Sequence, residues 1–329
     1  MNKFAIVGCG KVAAHHAENI LKIGTLIAVC DSDVARADAF AANYNAKPYY
    51  TLEEMLLAEK EVNIITVCTP SGFHAEHSIK ALQSGRHVVC ESPMCLTTSA
   101  AWQTIETEKF CRQKLFIVTE KPHYKLVHQA KKWISENRFG KIYQFQFYVC
   151  INKPKDFFTG WQGKLFPAGG SLFSEFTPHL NLMLYLFGDV TSINGFAGNR
   201  FDERSQIDDN GSISLQMESG TSGSFQWLVN SMVNEEDMEL TIVAEKGVIR
   251  IGGAYLNEVR YQSVDPIITV DLENLDNKTS LNQYQHFYEQ IEIALESKVS
   301  YSSALEALPV IQLIERIYKA VGLPSYHSV

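Results

Sequence analysis

The sequence predicts an α/β chain in two parts. Residues 1–122 read as a doubly wound parallel (Rossmann) domain, and residues 123–329 as an α+β domain with an open, mostly antiparallel sheet, its last helix free to pack back on the first domain. Three observations predict this. Short apolar runs alternate with amphipathic stretches through the first third of the chain. A glycine-rich turn, VGCGKVA, joins the first run to the first amphipathic stretch. Beyond about residue 122, longer strands with period-two alternation take over.

The elements follow in order. KFAIVG (3–8) is a strand and 12–23 a helix; LIAVCD (26–31) is a strand and 33–44 a helix. NIITVCTP (63–70) precedes a helix at 72–84, and HVVCES (87–92) one at 98–113; KLFIVTE (114–120) is a fifth strand. Such alternation builds a parallel sheet by right-handed crossovers, with helices on both faces. A helix over 123–137 opens the second part. Strands follow at 141–151, 191–199, 211–217, 222–229, 238–245 and 247–253, the last two joined by a tight turn at Glu245-Lys246-Gly247. A helical pattern covers 171–187, with a break expected at Pro178, and helices at 281–297 and 301–321 end the chain.

Composition limits the function. The 329 residues are 46% hydrophobic, enough for a sizeable core in each domain. A net charge of -8 argues against a broad nucleic-acid footprint. The longest apolar runs are strand-sized, so no membrane span is expected. The opening MNKFAIVGCG runs directly into a strand without a basic leader, which points to a cytoplasmic protein. The seven cysteines are odd in number and form no CxxC pair, as expected of reduced, buried thiols.

Gly8, Gly10 and Ala13 have GxGxx(G/A) spacing after a strand and at the start of a helix. The first glycine makes the turn. The second lets the backbone approach a diphosphate, whose charge the helix N-terminus stabilises. Asp31 ends the second strand about twenty residues on, where an acid accepts the ribose hydroxyls and repels a 2′-phosphate. The expected cofactor is therefore NAD rather than NADP. Arg36 reads as a solvated helix residue.

The stretch VCTPSGFHAEHSIKALQSGRHVVCESPMCLT (67–97) resembles the Gfo/Idh/MocA oxidoreductase family. The family pattern is Thr-Pro, a His four residues on, Ala-x-x-x-Gly-x-His-Val and Glu-Lys-Pro. Here it reads Thr69, Pro70, His74, Ala81, Gly85, His87, Val88, Glu91, Ser92 and Pro93. The likeness continues in WISENRFGKIYQF (133–145), ELTIVAEKGVIRI and ALEALPVIQLIERIYKA. GGSLFSEFTPHLNLMLYLFGD (169–189) most resembles the branch that oxidises UDP-N-acetylglucosamine and its uronic acid at C3. The resemblance implies cofactor contacts from Gly8, Gly10, Lys11, Val12, Asp31, Thr69, Pro70, His74, Glu91 and Ser92. HAEH (74–77) has the spacing of a metal pair, but no acid or thiol is placed to complete it, so no metal is expected.

The chain departs from the family where chemistry is expected. Ser92 replaces the lysine of Glu-Lys-Pro, and serine has neither the charge nor the reach of that side chain. In a gapless match to the family's Asp-x-Gly-x-His helix, Ser174, Phe176 and Pro178 take the Asp, Gly and His places, and Asn181 that of a following Asp. Pro178 also suits a helix start with Thr177 as N-cap, which brings His179 forward as a displaced base. VTEKPHY (118–124) offers Lys121 and His123, either as the missing charge or as substrate contacts. Further substrate candidates are Trp161, as a lid or a packing anchor, and Glu175, which can pair with His179 or lie on the surface. Lys153, Lys155 and Lys164 are diphosphate ligands or solvated lysines; His286 is structural.

The expectation is an NAD-dependent dehydrogenase of a sugar or nucleotide sugar with a rearranged catalytic set. The alternatives are a non-catalytic NAD- or sugar-binding regulator, or an enzyme cleaving glycosides through a transient keto sugar. Apolar residues on both faces of ISLQM, SFQWLV and YQFQFYV predict a homodimer or homotetramer through the C-terminal sheet.

Overall fold

The computed structural model describes residues 2–118, 124–154, 157–200, 205–230, 236–265, 281–297 and 303–324. In chain order its elements begin with β1 (Asn2–Val7), α1 (Lys11–Ile23), β2 (Gly24–Cys30), α2 (Val34–Tyr44), β3 (Lys47–Tyr49) and α3 (Leu52–Ala58). Next come β4 (Ile64–Val67), α4 (His74–Gln83), β5 (His87–Cys90), α5 (Thr98–Cys111) and β6 (Leu115–Ile117). Then follow α6 (Lys125–Ser135), β7 (Ile142–Asn152), α7 (Leu165–Ala168), α8 (Ser171–Ser174), α9 (Thr177–Phe187), β8 (Val190–Gly198), β9 (Asn210–Met217) and β10 (Ser222–Asn230). The last are β11 (Asp237–Ala244), β12 (Gly247–Gly252), β13 (Glu258–Val264), α10 (Leu281–Glu296) and α11 (Ser303–Ala320). They form two compact units, Met1–Thr119 with Lys278–Ile311, and Glu120–Asn277 with Gln312–Val329.

The first unit holds a six-stranded sheet of order β3-β2-β1-β4-β5-β6, parallel throughout. Its inner strands are near-continuous apolar runs because helices cover both faces. Phe4, Ile6, Ile64 and Val89 are fully buried, as are Ala13, Ala17 and Ile20 on the inner stripe of α1. Tyr288, Ile291 and Ala294 of α10 join the same core. The strand order reverses between β1 and β4. A crevice at the carboxyl ends of the strands opens at such a switch point, and ligands of open α/β sheets bind there.

The second unit holds a seven-stranded sheet of order β13-β12-β11-β7-β10-β9-β8. Among the described strands only β7 and β10 pair in parallel; the other pairs are antiparallel. Phe145, Phe147, Val149 and Ile151 of β7 and Phe225, Trp227 and Val229 of β10 point into the core. The other face corrects the sequence expectation. Gln144 and Gln146 of β7, Ser214 of β9, and Ser222 and Gln226 of β10 are exposed there. Period-two alternation keeps most of the large apolar residues of these strands in phase on one side, while Phe196 of β8 and Tyr261 of β13 are exposed on the outer face.

The 171–187 region is two helices, not one. The break falls at 175–176, and Pro178 sits in the first turn of α9, where its missing N–H costs nothing. Thr177 is not the N-cap. Its hydroxyl donates back to the carbonyls of Leu172 (3.2 Å) and Phe173 (2.9 Å), and Phe176 takes the cap position without a side-chain bond.

Candidate active site

The glycine-rich turn is shaped by close backbone contact. Gly8 has φ +92°, and a Cβ there would lie 2.6 Å from the main-chain carbon and oxygen of Cys68, just past β4. Gly10 precedes α1, and a Cβ on it would meet nothing within 4 Å. No side chain caps α1, and its first turn carries no acid. The unmatched N–H groups and positive end of the helix therefore face the open side of the turn, an arrangement that suits a diphosphate. Lys11 and Val12 are exposed in that first turn.

Asp31 is buried and fixed by backbone donors. One carboxylate oxygen accepts the Cys9 N–H and the other the Asp33 N–H, each at 2.9 Å. Arg36 is not merely solvated: its guanidinium lies 3.4 Å from Asp31 and 3.0 Å from Asp33. The turn, the bare helix end and the held acid fit a dinucleotide.

At the ends of β4 and β5, His74 joins two loops. Its ring nitrogens meet the carbonyl of Thr69 at 2.5 Å and that of Pro93 at 2.7 Å. Burial pushes its pKa down, although both carbonyls favour the charged ring. His77 pairs with the Thr69 hydroxyl at 3.0 Å, so the two histidines of HAEH serve the Thr69-Pro70 corner separately. Among the described residues no group of three His, Cys, Asp or Glu side chains is arranged to hold a metal.

Glu91 is the centre of a network that the sequence reading missed. Its carboxylate lies 2.7 Å from His16 Nε2, accepts the Tyr284 hydroxyl at 3.0 Å and accepts the Ser92 N–H at 3.2 Å. His16 Nδ1 meets the Tyr288 hydroxyl at 2.7 Å, which in turn lies 3.3 Å from Thr66. Burial raises the Glu91 pKa, but the contacts with His16 and Tyr284 and the nearby His74 together outweigh it, and the net direction is down, towards carboxylate. A signal was present: His16 interrupts the apolar inner stripe of α1, and a polar residue on such a stripe needs a buried partner. His286, singled out in the sequence, is instead exposed on α10 beside Glu289.

In the second unit, α8 and α9 bring three predicted residues together. Glu175, in the break between them, is mostly buried and does not pair its carboxylate with His179. It pairs with Lys153 at the end of β7, 2.7 Å away. Lys153 is thus not simply solvated. Burial raises the Glu175 pKa and outweighs the opposing charge of Lys153. His179 is buried between the Phe147 and Phe176 rings, centroids 6.3 and 5.8 Å away, and its Nδ1 makes no hydrogen bond. Burial pushes its pKa down to about 4, more than the nearby Glu175 carbonyl restores. Trp161 is 40% exposed and so is not a packing anchor. Lys121, His123 and Lys155 lie outside the described residues.

His179 is expected to make the folded protein acid-sensitive. Unfolding releases a ring that takes up a proton near its ordinary 6.5, whereas the folded ring resists until about 4. Its contribution is therefore complete above pH 6.5 and is lost as pH falls towards 4. Urea unfolding at pH 7 and 4.5 should show His179→Gln losing about 2–3 kcal/mol less stability over this range than the unsubstituted chain. Equal losses would mean that the ring already titrates normally in the fold.

Asp208 anchors the start of α8. This buried carboxylate accepts the Ser171 N–H (3.1 Å) and hydroxyl (2.5 Å), Trp227 Nε1–H (2.9 Å) and the Tyr318 hydroxyl (2.9 Å). Tyr318 also accepts the Leu172 N–H at 3.0 Å. Gly170, with φ +99°, makes this possible: a Cβ there would lie 2.2 Å from the Tyr318 oxygen. Nothing local in QIDDN marks Asp208, since its partners lie far along the chain.

Comparison with known proteins places both units. Residues 2–119 match the model "Oxidoreductase family, NAD-binding Rossmann fold", and residues 127–250 match "GFO/IDH/MocA C-terminal domain". D-glucoside 3-dehydrogenase of Escherichia coli K12 is 33% identical over 148 residues, 43% of this chain and 41% of that protein, so the match spans less than half its length. Oxidoreductase P35 of Formosa agariphila is 24% identical over 75% of this chain and 78% of its own. The WlbA dehydrogenase of Chromobacterium violaceum, crystallised with NADH and UDP-GlcNAcA, superposes with a TM-score of 0.86 at 25% identity, covering 98% of this chain and 94% of that one. Levoglucosan dehydrogenase shares the fold, with a TM-score of 0.80 at 15% identity over 98% and 97% of the two chains.

Proposed function

The chain belongs to the Gfo/Idh/MocA oxidoreductase family, and from that premise we propose that it is an NAD-dependent dehydrogenase of a sugar or nucleotide sugar. The observation that carries this reading is the dinucleotide corner: a turn at Gly8 and Gly10 that leaves a helix end bare, with Asp31 held across from it by the Cys9 and Asp33 N–H groups. D-glucoside 3-dehydrogenase and the WlbA enzyme, which act on or bind such substrates, support the substrate class.

Bound NAD supplies a hydride acceptor; the chain's own residues do the rest. Gly8, Gly10, Lys11 and Val12 hold the diphosphate, and Asp31 holds the adenosine ribose. Thr69, Pro70, His74, Glu91 and Ser92 shape the nicotinamide end. His16, Tyr284 and Tyr288 keep the Glu91 carboxylate oriented, and Ser92 contributes hydrogen bonding but no charge. Lys121 and His123 remain proposed substrate contacts.

The test is direct. Purified protein is titrated with NADH and NADPH by fluorescence. It is then incubated with NAD and a panel of UDP-N-acetylglucosamine, its uronic acid, glucose, glucose 6-phosphate, levoglucosan and inositols, following absorbance of reduced nicotinamide. The expected result is at least about tenfold tighter binding of NADH than NADPH, a difference of ~1.4 kcal/mol, and turnover of at least one panel member. Tight NADH binding with no turnover of any sugar would replace this reading with that of a non-catalytic NAD-binding regulator.

A further inference from the structure

We propose that Glu91 senses the charge of the nicotinamide ring and biases this chain towards oxidised NAD relative to NADH, and that Ser92, by bringing no ammonium to the same place, leaves that bias uncancelled. This rests on the dehydrogenase reading above and concerns the first unit alone. Asp31 follows β2, the Gly8–Gly10 turn follows β1, Thr69 and Pro70 follow β4, and Glu91 follows β5. These strands are neighbours in the order β2-β1-β4-β5, all parallel, so the four places stand in a row along one edge of the sheet. With a ribose at Asp31 and a diphosphate at the bare end of α1, the second half of a dinucleotide runs towards β4 and β5. That half carries a positive ring in NAD and a neutral one in NADH, so a fixed charge nearby acts on one form and not on the other.

Glu91 has the features of such a charge. Its side chain is 17% exposed, so it is largely withdrawn from water yet open on one side. One oxygen, Oε1, takes both His16 Nε2 and the Tyr284 hydroxyl. The other, Oε2, has among the described residues only the N–H of the next residue, Ser92, at 3.2 Å. It keeps a lone pair for a ligand. The network is complete with His16 uncharged: the Thr66 hydroxyl can donate to Tyr288, the Tyr288 hydroxyl to His16 Nδ1, and Nε2–H to Glu91. Tyr284 is itself held, edge-on to His16 and stacked on His15, with ring centroids 4.8 and 5.8 Å away.

Little around Glu91 cancels its charge. Among the described residues no lysine or arginine pairs with it, and its one ion-pair contact is His16. Burial favours a neutral His74 ring and keeps the Cys68 and Cys90 thiols and the Tyr288 hydroxyl protonated. Glu91 itself is favoured as the carboxylate. A lysine at position 92 would set an ammonium beside it, whereas Ser92 supplies a hydroxyl. The carboxylate therefore attracts the oxidised ring, and more strongly than it would in water. A tenfold bias lowers the potential of the bound couple by about 30 mV, so the chain gives up NADH more readily than it would without Glu91.

The test needs binding, not turnover. NAD is titrated by calorimetry and NADH by fluorescence, near neutral pH, into the unsubstituted chain, Glu91→Gln, Glu91→Asp and Ser92→Lys, with thermal midpoints measured alongside. Glu91→Gln should shift the ratio of the two dissociation constants by about tenfold towards NADH. Ser92→Lys should shift it in the same direction, and Glu91→Asp, which keeps the charge, by less than Glu91→Gln. A merely structural role would weaken both forms by the same factor and leave the ratio alone. If Glu91→Gln keeps the ratio within about twofold of the unsubstituted value, this assignment is overturned and the dehydrogenase reading stands. Should Glu91→Gln fail to fold, Ser92→Lys decides, and an unchanged ratio there overturns the assignment. If the unsubstituted chain binds neither NAD nor NADH, the dehydrogenase reading falls and this inference with it.

Discussion

Replacing Asp208 with alanine is expected to destabilise the second unit by about 4 kcal/mol, lowering its thermal midpoint by roughly 10 °C. Four donors converge on this carboxylate. Two of them, the Ser171 N–H and Trp227 Nε1–H, can only donate, so removing the acceptor leaves them buried and unpaired. The Ser171 and Tyr318 hydroxyls can rotate to other partners. Asparagine separates these contributions. Wherever its amide nitrogen sits, one rotatable hydroxyl can adapt to it but one fixed N–H cannot. Asp208→Asn should therefore cost about half as much as Asp208→Ala. Differential scanning calorimetry checks both; an Asp208→Asn midpoint equal to that of the unsubstituted chain, with Asp208→Ala still low, would mean that packing, not the hydrogen bonds, holds the hub.

Gly8→Ala is expected to abolish NADH binding and destabilise the first unit by about 3 kcal/mol. The new methyl would lie 2.6 Å from the Cys68 carbon and oxygen, and these are main-chain atoms that cannot swing aside. The φ of +92° adds strain that only glycine avoids. Gly10→Ala is the informative contrast. Its φ of -78° suits any residue and its Cβ meets no protein atom within 4 Å, so the fold should be unaffected. The methyl would, however, occupy the space left for the diphosphate. Denaturation with parallel NADH titration should show Gly8→Ala losing both stability and binding, and Gly10→Ala losing binding alone. Wild-type NADH affinity in Gly10→Ala would refute the placement of the diphosphate.

How far the sequence could be read depended on how local each feature was. The dinucleotide corner was legible because Gly8, Gly10 and Asp31 act through backbone shape and strand ends, which spacing records. The parallel sheet was legible because its strands are buried on both faces. β3 was missed: it has three residues, including Pro48, at a sheet edge. α3 was missed although Thr51 caps it by accepting the Glu54 N–H, since seven residues are too few to show periodicity. β13 is an edge strand with most residues exposed, so no buried face writes a pattern into it. The Glu91 network escaped because its partners lie 75 and 193 positions away. The Lys153–Glu175 pair escaped for a related reason. A helix-spacing rule favoured Glu175 with His179, whereas the break before α9 turns the carboxylate towards the end of β7.

The parallel pairing of β7 with β10, which joins Gln144 to Ser222 across the middle of the second sheet, bears on how this unit is made. Hairpins β9–β10 and β11–β12 need only short turns and can assemble early. β7 must wait for distant partners on both sides, because closing so long a loop loses chain entropy before any contact repays it. Until it arrives, β10 and β11 each present an unsatisfied flank, and the interval in which nascent chains can join to one another is set by the docking of this one central strand.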